Sequence, residues 1–351
     1  QHIHQSTIII LWVPAHRPRF ARLHGVRLVL SAMRRHAGEA GVQRAGCGVV
    51  HGLSWNPDNK EDIAAEDEAG EGGGLSAIIA AMAGHPDDVE LQREACSALS
   101  ILSYSVDANK LAICRRGGIP SILRVLADPH MSWKEELVEP ACHALWSLAS
   151  MTPPPKGHQP DPALVAMVEA NRASMVREGA VRSMVQVLHR HVAKPFVVQA
   201  ACRVLIQLLF GSPRAGQEVM ELGGLGQLEQ ALGRHMGSAR VVEQVIFCCK
   251  NLTASMSSDK SMVKAAERGI GQRMELLLRA LRTHATNPEV QRQGLVALHN
   301  VVSTHRPALS PQTQDRVSEA LHEALAARFH AAAPDVPLRA ARFILFLAKT
   351  P

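Results

Sequence analysis

The residues that could carry chemistry in this 351-residue chain are its 18 histidines and seven cysteines. A structural zinc site needs ligand pairs at short, regular separations plus a distant second pair, and the sequence has no CxxC spacing. It also lacks a glycine-rich phosphate loop, a GxSxG motif and an HExxH motif. The clusters that come nearest to a site are Cys142-His143, Cys248-Cys249 and His189-Arg190-His191. Because their spacings fit no known ligand or catalytic pattern, we expect no catalytic, cofactor-binding or metal site and no enzymatic activity.

Four of the cysteines occupy one position of a longer repeated pattern. The segment from Ala95 to Leu102 aligns with Ala141 to Leu148 and with Ala201 to Leu208, and a cysteine is the second residue of each. The equivalent positions along the chain are 47, 96, 142, 202, 246, 295 and 341, which gives steps of 49, 46, 60, 44, 49 and 46 residues. We therefore expect these cysteines to pack in the core as free thiols, which favours a reducing compartment and a cytoplasmic or nuclear location.

A second marker repeats with the same period. Six glycine-bearing turns are followed by apolar residues with helical spacing, starting at positions 26, 75, 119, 181, 225 and 270. A helical repeat of roughly 40–47 residues is typical of stacked units that cannot bury their apolar faces alone. Aromatic residues make up only 3% of the chain, which suits helix-on-helix packing. We predict an all-α class. Short first helices are predicted at Asn59-Lys60, Asn109-Lys110, Asn171-Arg172 and Asp259-Lys260, with the Asn or Asp as N-cap.

The motifs in Gln92–Leu99 and Asn109–Pro120 are Gln-x-x-Ala-Cys-x-Ala-Leu and Asn-Lys-x-x-Ile followed by Gly-Gly-Ile-Pro. This pattern, which covers nearly the whole chain, resembles the armadillo repeat family. The resemblance implies a right-handed α-solenoid of three-helix repeats, with a HEAT-like array as the alternative.

The domain organisation follows from the two markers. We expect residues 1–24 to be the C-terminal part of a truncated repeat, with residues 7–13 as its last helix. Residues 7–13 are far fewer than the roughly 20 that a membrane span needs. Residues 25–308 form the repeat array, with inserted loops at about 64–73, which is acidic and glycine-rich, and at 151–162, which is proline-rich. Residues 309–351 form the C-terminal capping repeat.

The resemblance places the functional surface on the concave face lined by the third helices. In the family an asparagine on this face typically holds the backbone of an extended peptide. The nuclear-import adaptors of the family carry tryptophans along this face, whereas Gly48, Ser97 and His143 stand at three of those positions here. Trp55 and Trp146 lie off that row, and we expect them in the core or between repeats. The predicted peptide-binding groove consists of Arg203, Gln207, Phe247, Asn251, Arg292 and Asn300.

Two functions from different classes fit these features. The first is a non-catalytic scaffold, or a regulatory module of a larger protein, that binds an extended acid-bearing segment of a partner protein. The second is attachment to nucleic acid or to an anionic membrane through the net charge of +6 and the pI of about 9.1. Nucleic acid is disfavoured because bases need stacking aromatics and the groove offers only Phe247. We expect no small-molecule substrate and no transmembrane segment.

Overall fold

A computed structural model describes residues 25–65, 73–154, 157–256, 260–267, 269–305, 310–326 and 335–349. Within these ranges the regular secondary structure is α-helical and no strand occurs, which confirms the all-α prediction. The predicted truncated repeat, residues 1–24, lies outside the described residues. No helix in the described ranges has the length and apolar character needed to cross a membrane.

The helices follow the predicted three-helix order. The short first helices are α3 (Pro57–Ala65), α6 (Asp107–Arg115), α9 (Pro162–Arg177), α12 (Pro213–Glu221) and α15 (Lys260–Glu267). The second helices are α1 (Gly25–Arg35), α4 (Gly74–Gly84), α7 (Gly118–Ala127), α10 (Ala180–Arg190), α13 (Gly224–Arg234), α16 (Ile270–Thr283) and α18 (Pro311–Ala326). The third helices are α2 (Ala40–Leu53), α5 (Val89–Ser103), α8 (Glu135–Ala149), α11 (Pro195–Leu209), α14 (Ala239–Met256), α17 (Pro288–His305) and α19 (Asp335–Lys349).

Third helices of consecutive repeats pack side by side and form the spine of the fold. The chain divides into two compact units, Gln1–Ser183 and Met184–Pro351. In the first unit α2 packs on α5 and α5 on α8; in the second α11 packs on α14, α14 on α17 and α17 on α19. Cys47, Cys96, Cys142 and Cys202 are all completely buried in these contacts, as predicted from their shared position. Small thiols there allow neighbouring helices to approach closely.

Glycines at the turns into the second helices have two separate roles. Gly117, Gly223 and Gly269 precede second helices with φ of 82°, 72° and 72°, a left-handed conformation that other residues adopt only with strain. Gly118 follows one of these turns, and a Cβ there would lie 2.9 Å from the carbonyl oxygen of Ile113 and closer still to the Ile113 side chain. Pairs of glycine therefore allow both the sharp reversal and the close packing of the first and second helices.

The predicted capping role of the first-helix asparagines is wrong. The helices begin before them, at Pro57, Asp107 and Pro162, and the asparagine side chains turn inward. Their Nδ2 groups donate to the carbonyl oxygens at the end of the preceding third helix: Asn59 to Leu53 at 3.0 Å, Asn109 to Leu102 at 2.9 Å, and Asn171 to Leu148 at 3.2 Å. The last carbonyls of a helix lack intrahelical partners, so a buried amide satisfies them. Asp259 lies outside the described residues.

The loops and the last repeat vary the pattern. Residues 151–154 and 157–161 are not helical. Helix α9 begins at Pro162, and Asp161 caps its N-terminus by accepting a hydrogen bond from the Ala163 backbone N–H. At the other inserted loop α3 extends to Ala65 and α4 begins at Gly74, while residues 66–72 lie outside the described residues. The last repeat contains only α18 and α19 in its described part.

Candidate functional site

The predicted groove residues lie on the third helices of the second unit. Helix α11 carries Arg203 and Gln207, α14 carries Phe247 and Asn251, and α17 carries Arg292 and Asn300; all six side chains are half-buried. Their neighbours along each helix are fully buried core residues such as Cys202 and Val204. Helix α14 packs against both α11 and α17, so the six residues lie on adjacent helices; they are here called the third-helix face.

The two asparagines are held in the same way. Asn251 donates from Nδ2 to the carbonyl oxygen of Ile206 on α11 at 3.1 Å. Asn300, one repeat later, donates from Nδ2 to the carbonyl oxygen of Lys250 at 3.3 Å and to Oγ1 of Thr253 at 3.4 Å. In both residues the Oδ1 atom accepts no hydrogen bond from the described part of the chain. Each amide is therefore fixed by the preceding helix, with its oxygen left as an acceptor.

Phe247 is part of a small polar cluster rather than a bare apolar surface. The ammonium of Lys250 lies 3.7 Å from the centroid of the Phe247 ring, within the range of a cation–π interaction. The same Nζ donates to Oε1 of Gln293 on α17 at 2.8 Å. Burial lowers the pKa of Lys250, since desolvation disfavours the charged form. The aromatic position thus brings a partly desolvated cation onto the face.

The Arg292 guanidinium is already paired with two carboxylates of this chain, so it is less available to bind a ligand. Its guanidinium bonds both carboxylate oxygens of Asp335 on α19, at 2.8 and 3.1 Å, and also pairs with Glu289. The hydrogen bond from Arg292 holds the pKa of Asp335 well below its usual range. Since the side chain joins α17 to α19, its contribution to the third-helix face is chiefly to position the helices. Sequence reasoning missed this because Asp335 belongs to the next repeat.

The face carries charge of both signs. Arg203 and Lys250 are the basic groups near its centre, and Glu243 lies one turn before Phe247 on α14. Burial, together with the charge of Glu289, raises the pKa of Glu243. The surface therefore carries basic and acidic groups beside the two asparagine oxygens.

Solved structures of similar fold were found for this chain. No family model matches the chain, and no curated protein matches it. Among solved structures, an engineered protein is 21% identical with a TM-score of 0.59, covering 80% of this chain and 97% of its own. The designed armadillo repeat protein YIII(Dq)4CqI is 16% identical with a TM-score of 0.57, covering 76% and 98%. The chain has an armadillo-like helical repeat fold. A second designed armadillo repeat protein, YIII(Dq.V1)4CPAF in complex with the peptide (KR)4, is 18% identical with a TM-score of 0.55, covering 76% and 97%.

The first unit of the armadillo-like array carries an aromatic pocket that sequence reasoning missed. A cavity of about 520 Å³ lies across α2, α5 and α8 and is lined by Trp55, Tyr104 and Trp146. Trp55 and Tyr104 are each 55% exposed. Of the two locations predicted for Trp55, the core is therefore wrong, while Trp55 and the half-buried Trp146 line a pocket that residues of several repeats share. A signal was present: Trp55 and Tyr104 each follow a repeat cysteine, Cys47 and Cys96, by eight residues. Aromatics at one repeat position indicate a shared surface.

Residues on the third helices of this unit differ in exposure. Ser97 and His143 line the same pocket, whereas Ser147 is buried and accepts a hydrogen bond from Ser103 Oγ at 2.8 Å. Among the described residues no group of three or more His, Cys, Asp or Glu side chains is arranged to hold a metal ion. Burial raises the pKa of the Cys96 thiol to about 12, so this thiol is neutral and unreactive under ordinary conditions.

Proposed function

We propose that this chain is a binding scaffold that holds an extended segment of a partner protein along the third-helix face, without a catalytic role. Armadillo-like repeat folds commonly mediate protein binding, and a designed armadillo protein of similar fold is in complex with a peptide. Support from this chain comes from the arrangement of its own side chains on α11, α14 and α17.

The observation that carries the proposal is the pair of fixed amides. Asn251 and Asn300 occupy the same position in consecutive repeats, and each donates to the preceding third helix while its Oδ1 accepts nothing from the described residues. An extended segment has backbone N–H groups that no neighbouring strand satisfies. Two oriented acceptors at a one-repeat interval can bind two such groups at little entropic cost, because the amides are already ordered.

Side chains beside the amides indicate the character of the segment. Arg203 can pair with a carboxylate through a charge-assisted hydrogen bond, and the ammonium of Lys250 adds a second positive group beside the Phe247 ring. Gln207 lies one turn beyond Arg203 on α11, and its amide adds a further polar group to this part of the face. We infer that the preferred segment carries at least one acidic residue. This preference is opposite to that of the designed protein bound to (KR)4.

The test begins with dodecapeptides selected from a displayed random library against the whole chain. The double variant Arg203→Glu, Asn251→Ala should reduce the affinity of the selected peptides by about 2–4 kcal/mol, as truncation of central contacts does. Its fold should persist, because Asn251→Ala removes a single hydrogen bond worth about 1 kcal/mol. Titration calorimetry and far-ultraviolet circular dichroism measure the two quantities.

A matched control lies on α13 of the same unit. The variant Arg234→Glu, Gln230→Ala makes the same change of charge and removes an amide from two exposed positions of a second helix. It should leave peptide affinity unchanged. Equal affinity for the groove variant and the control would move the binding surface away from α11, α14 and α17 and overturn the proposal.

A further inference from the structure

The aromatic pocket of the first unit contains a lysine whose ammonium is not fully satisfied. Lys60, on α3, lines the pocket and is 9% exposed. Its Nζ donates to the backbone carbonyl of Tyr104 at 3.1 Å and lies 5.7 Å from the centroid of the Tyr104 ring. An ammonium has three donors. In the ranges that the structure describes, no carboxylate lies within ion-pair distance of this one.

The next repeat shows what a satisfied lysine looks like at the same position. Lys110, on α6, donates from Nζ to the carbonyl oxygen of Ser150 at 2.8 Å, which is the counterpart of the bond from Lys60 to Tyr104. It also bonds Asp107 Oδ1 at 2.8 Å and Thr152 Oγ1 at 3.0 Å. Within the described part of the chain, the Lys110 ammonium thus has three hydrogen-bond acceptors, whereas the Lys60 ammonium has one.

The sequence explains the difference between the two lysines. Three residues before Lys110 stands Asp107, and three residues before Lys60 stands Pro57, which has no acceptor in its side chain. Both are the first residue of their helix, so they occupy equivalent places. The counterpart of Thr152 is Val106, whose side chain also has no hydrogen-bond acceptor. Among the residues that the structure describes, the repeat of Lys60 therefore has a buried cation without an ion-pair partner, whereas the repeat of Lys110 has an internal ion pair.

Burial of an ammonium without a counter-ion is unfavourable, and desolvation accordingly lowers the pKa of Lys60. Such a group gains most from a partner that brings its own carboxylate into the pocket. The surrounding walls favour a particular neighbour for that carboxylate. The exposed rings of Trp55 and Tyr104, with Ile101 and Trp146 beside them, offer an apolar surface in a cavity of about 520 Å³.

We propose that this pocket binds an acidic residue flanked by a bulky apolar side chain in an extended segment of a partner protein. The carboxylate pairs with Lys60 Nζ, and the apolar side chain covers the rings of Trp55 and Tyr104. The pocket extends across three consecutive third helices, and the exposed rings of Trp55 and Tyr104 lie at its open side. A polypeptide can therefore lie along it. It lies wholly within the first unit and is independent of the third-helix face on α11, α14 and α17.

The test compares blocked hexapeptides that contain Glu beside Leu, Phe or Trp with matched peptides that contain Gln instead. Binding is followed by fluorine NMR of the chain labelled with fluorotryptophan, in which Trp55 and Trp146 report on the pocket. The acidic peptides should bind roughly tenfold or more tightly than the amide peptides, since a hydrogen bond to a charged group is worth about 1.5–3 kcal/mol. Lys60→Gln should abolish this preference and leave the amide peptides unaffected.

A variant that is expected to be more stable than the parent shows that a loss of binding does not come from misfolding. Pro57→Asp supplies Lys60 with the internal carboxylate that Asp107 gives Lys110, so it should raise the melting temperature while it reduces binding of the acidic peptides to the level of the amide peptides. Pro57→Asn is the matched neutral control and should preserve the preference for acidic peptides.

Three results would overturn the proposal: equal binding of acidic and amide peptides, unchanged acidic-peptide binding by Pro57→Asp, or binding of free phenylpropionate as tight as that of the peptides. The last result would mean that the pocket takes a small carboxylic acid rather than a protein segment. None of these outcomes depends on the third-helix face of the second unit.

Discussion

Replacing Cys96 by aspartate tests how completely the repeat cysteines are enclosed. Cys96 lies on α5 with 0% of its surface exposed, and burial raises the pKa of its thiol to about 12. A carboxyl group there must be protonated to stay in the core. With an unfolded pKa of about 3.9, protonation at about pH 7 costs about 4 kcal/mol, and burial of an unpaired polar group adds about 1–3 kcal/mol. We expect Cys96→Asp to lose about 5–7 kcal/mol of unfolding free energy.

The pH dependence of the loss separates a buried carboxyl from general disruption. The folded-state pKa of the new carboxyl is raised above its unfolded value, so stability relative to the parent falls as pH rises from about 3.9 towards the folded-state pKa. The deficit should therefore be small at about pH 4 and large at about pH 7. Urea unfolding followed by far-ultraviolet circular dichroism, with the parent measured at each pH, gives the difference.

Three further variants complete the design of this experiment. Cys96→Ala should lose about 1 kcal/mol, and Cys96→Ser about 1–3 kcal/mol because its hydroxyl lacks a partner. Ala80→Asp places the same carboxyl at an exposed position of α4 and should have little effect. If Cys96→Asp unfolded like the parent at about pH 7, or if its deficit did not change with pH, the assignment of a closed core at this position would be refuted.

Two other predictions concern the turns and the end of the array. Gly118→Ala should destabilise the chain by about 1–3 kcal/mol because the new Cβ meets Ile113, whereas Gly84→Ala, with nothing within 4 Å of the new Cβ, should be neutral or stabilising by up to about 1 kcal/mol; thermal melts compare them. Since Arg292 lowers the pKa of Asp335, their pair stabilises the chain above the unfolded pKa and is lost as pH falls below about 4. Asp335 is partly exposed, so we expect Asp335→Asn to lose at most about 1 kcal/mol at neutral pH, and a larger loss in high salt than in low salt would contradict this account.

Much of the fold could be predicted from the sequence because it depends on local periodicity. Apolar spacing, positive-φ glycines such as Gly117, and the shared cysteine position all report on a helix and its nearest neighbours. A solenoid contains mostly such contacts, so the helix order and the buried positions of Cys96 and Cys142 followed from the pattern alone. The half-buried placement of Phe247 and Asn251 on their helix likewise depends on helical phase.

Tertiary structure decided which hydrogen bonds many polar side chains make, because their partners lie in other helices. Asn109 looks like an N-cap in the sequence, but its amide binds the end of the preceding third helix, Leu102. Trp55 looks like a core residue, yet the third-helix packing leaves it on a pocket wall. Lys60 and Lys110 share the Asn-Lys motif and differ three residues earlier, where Pro57 replaces Asp107; the packed structure shows which carbonyl of a later segment each ammonium reaches. These hydrogen bonds depend on distances between segments 40 or more residues apart, and a single local pattern does not contain those distances.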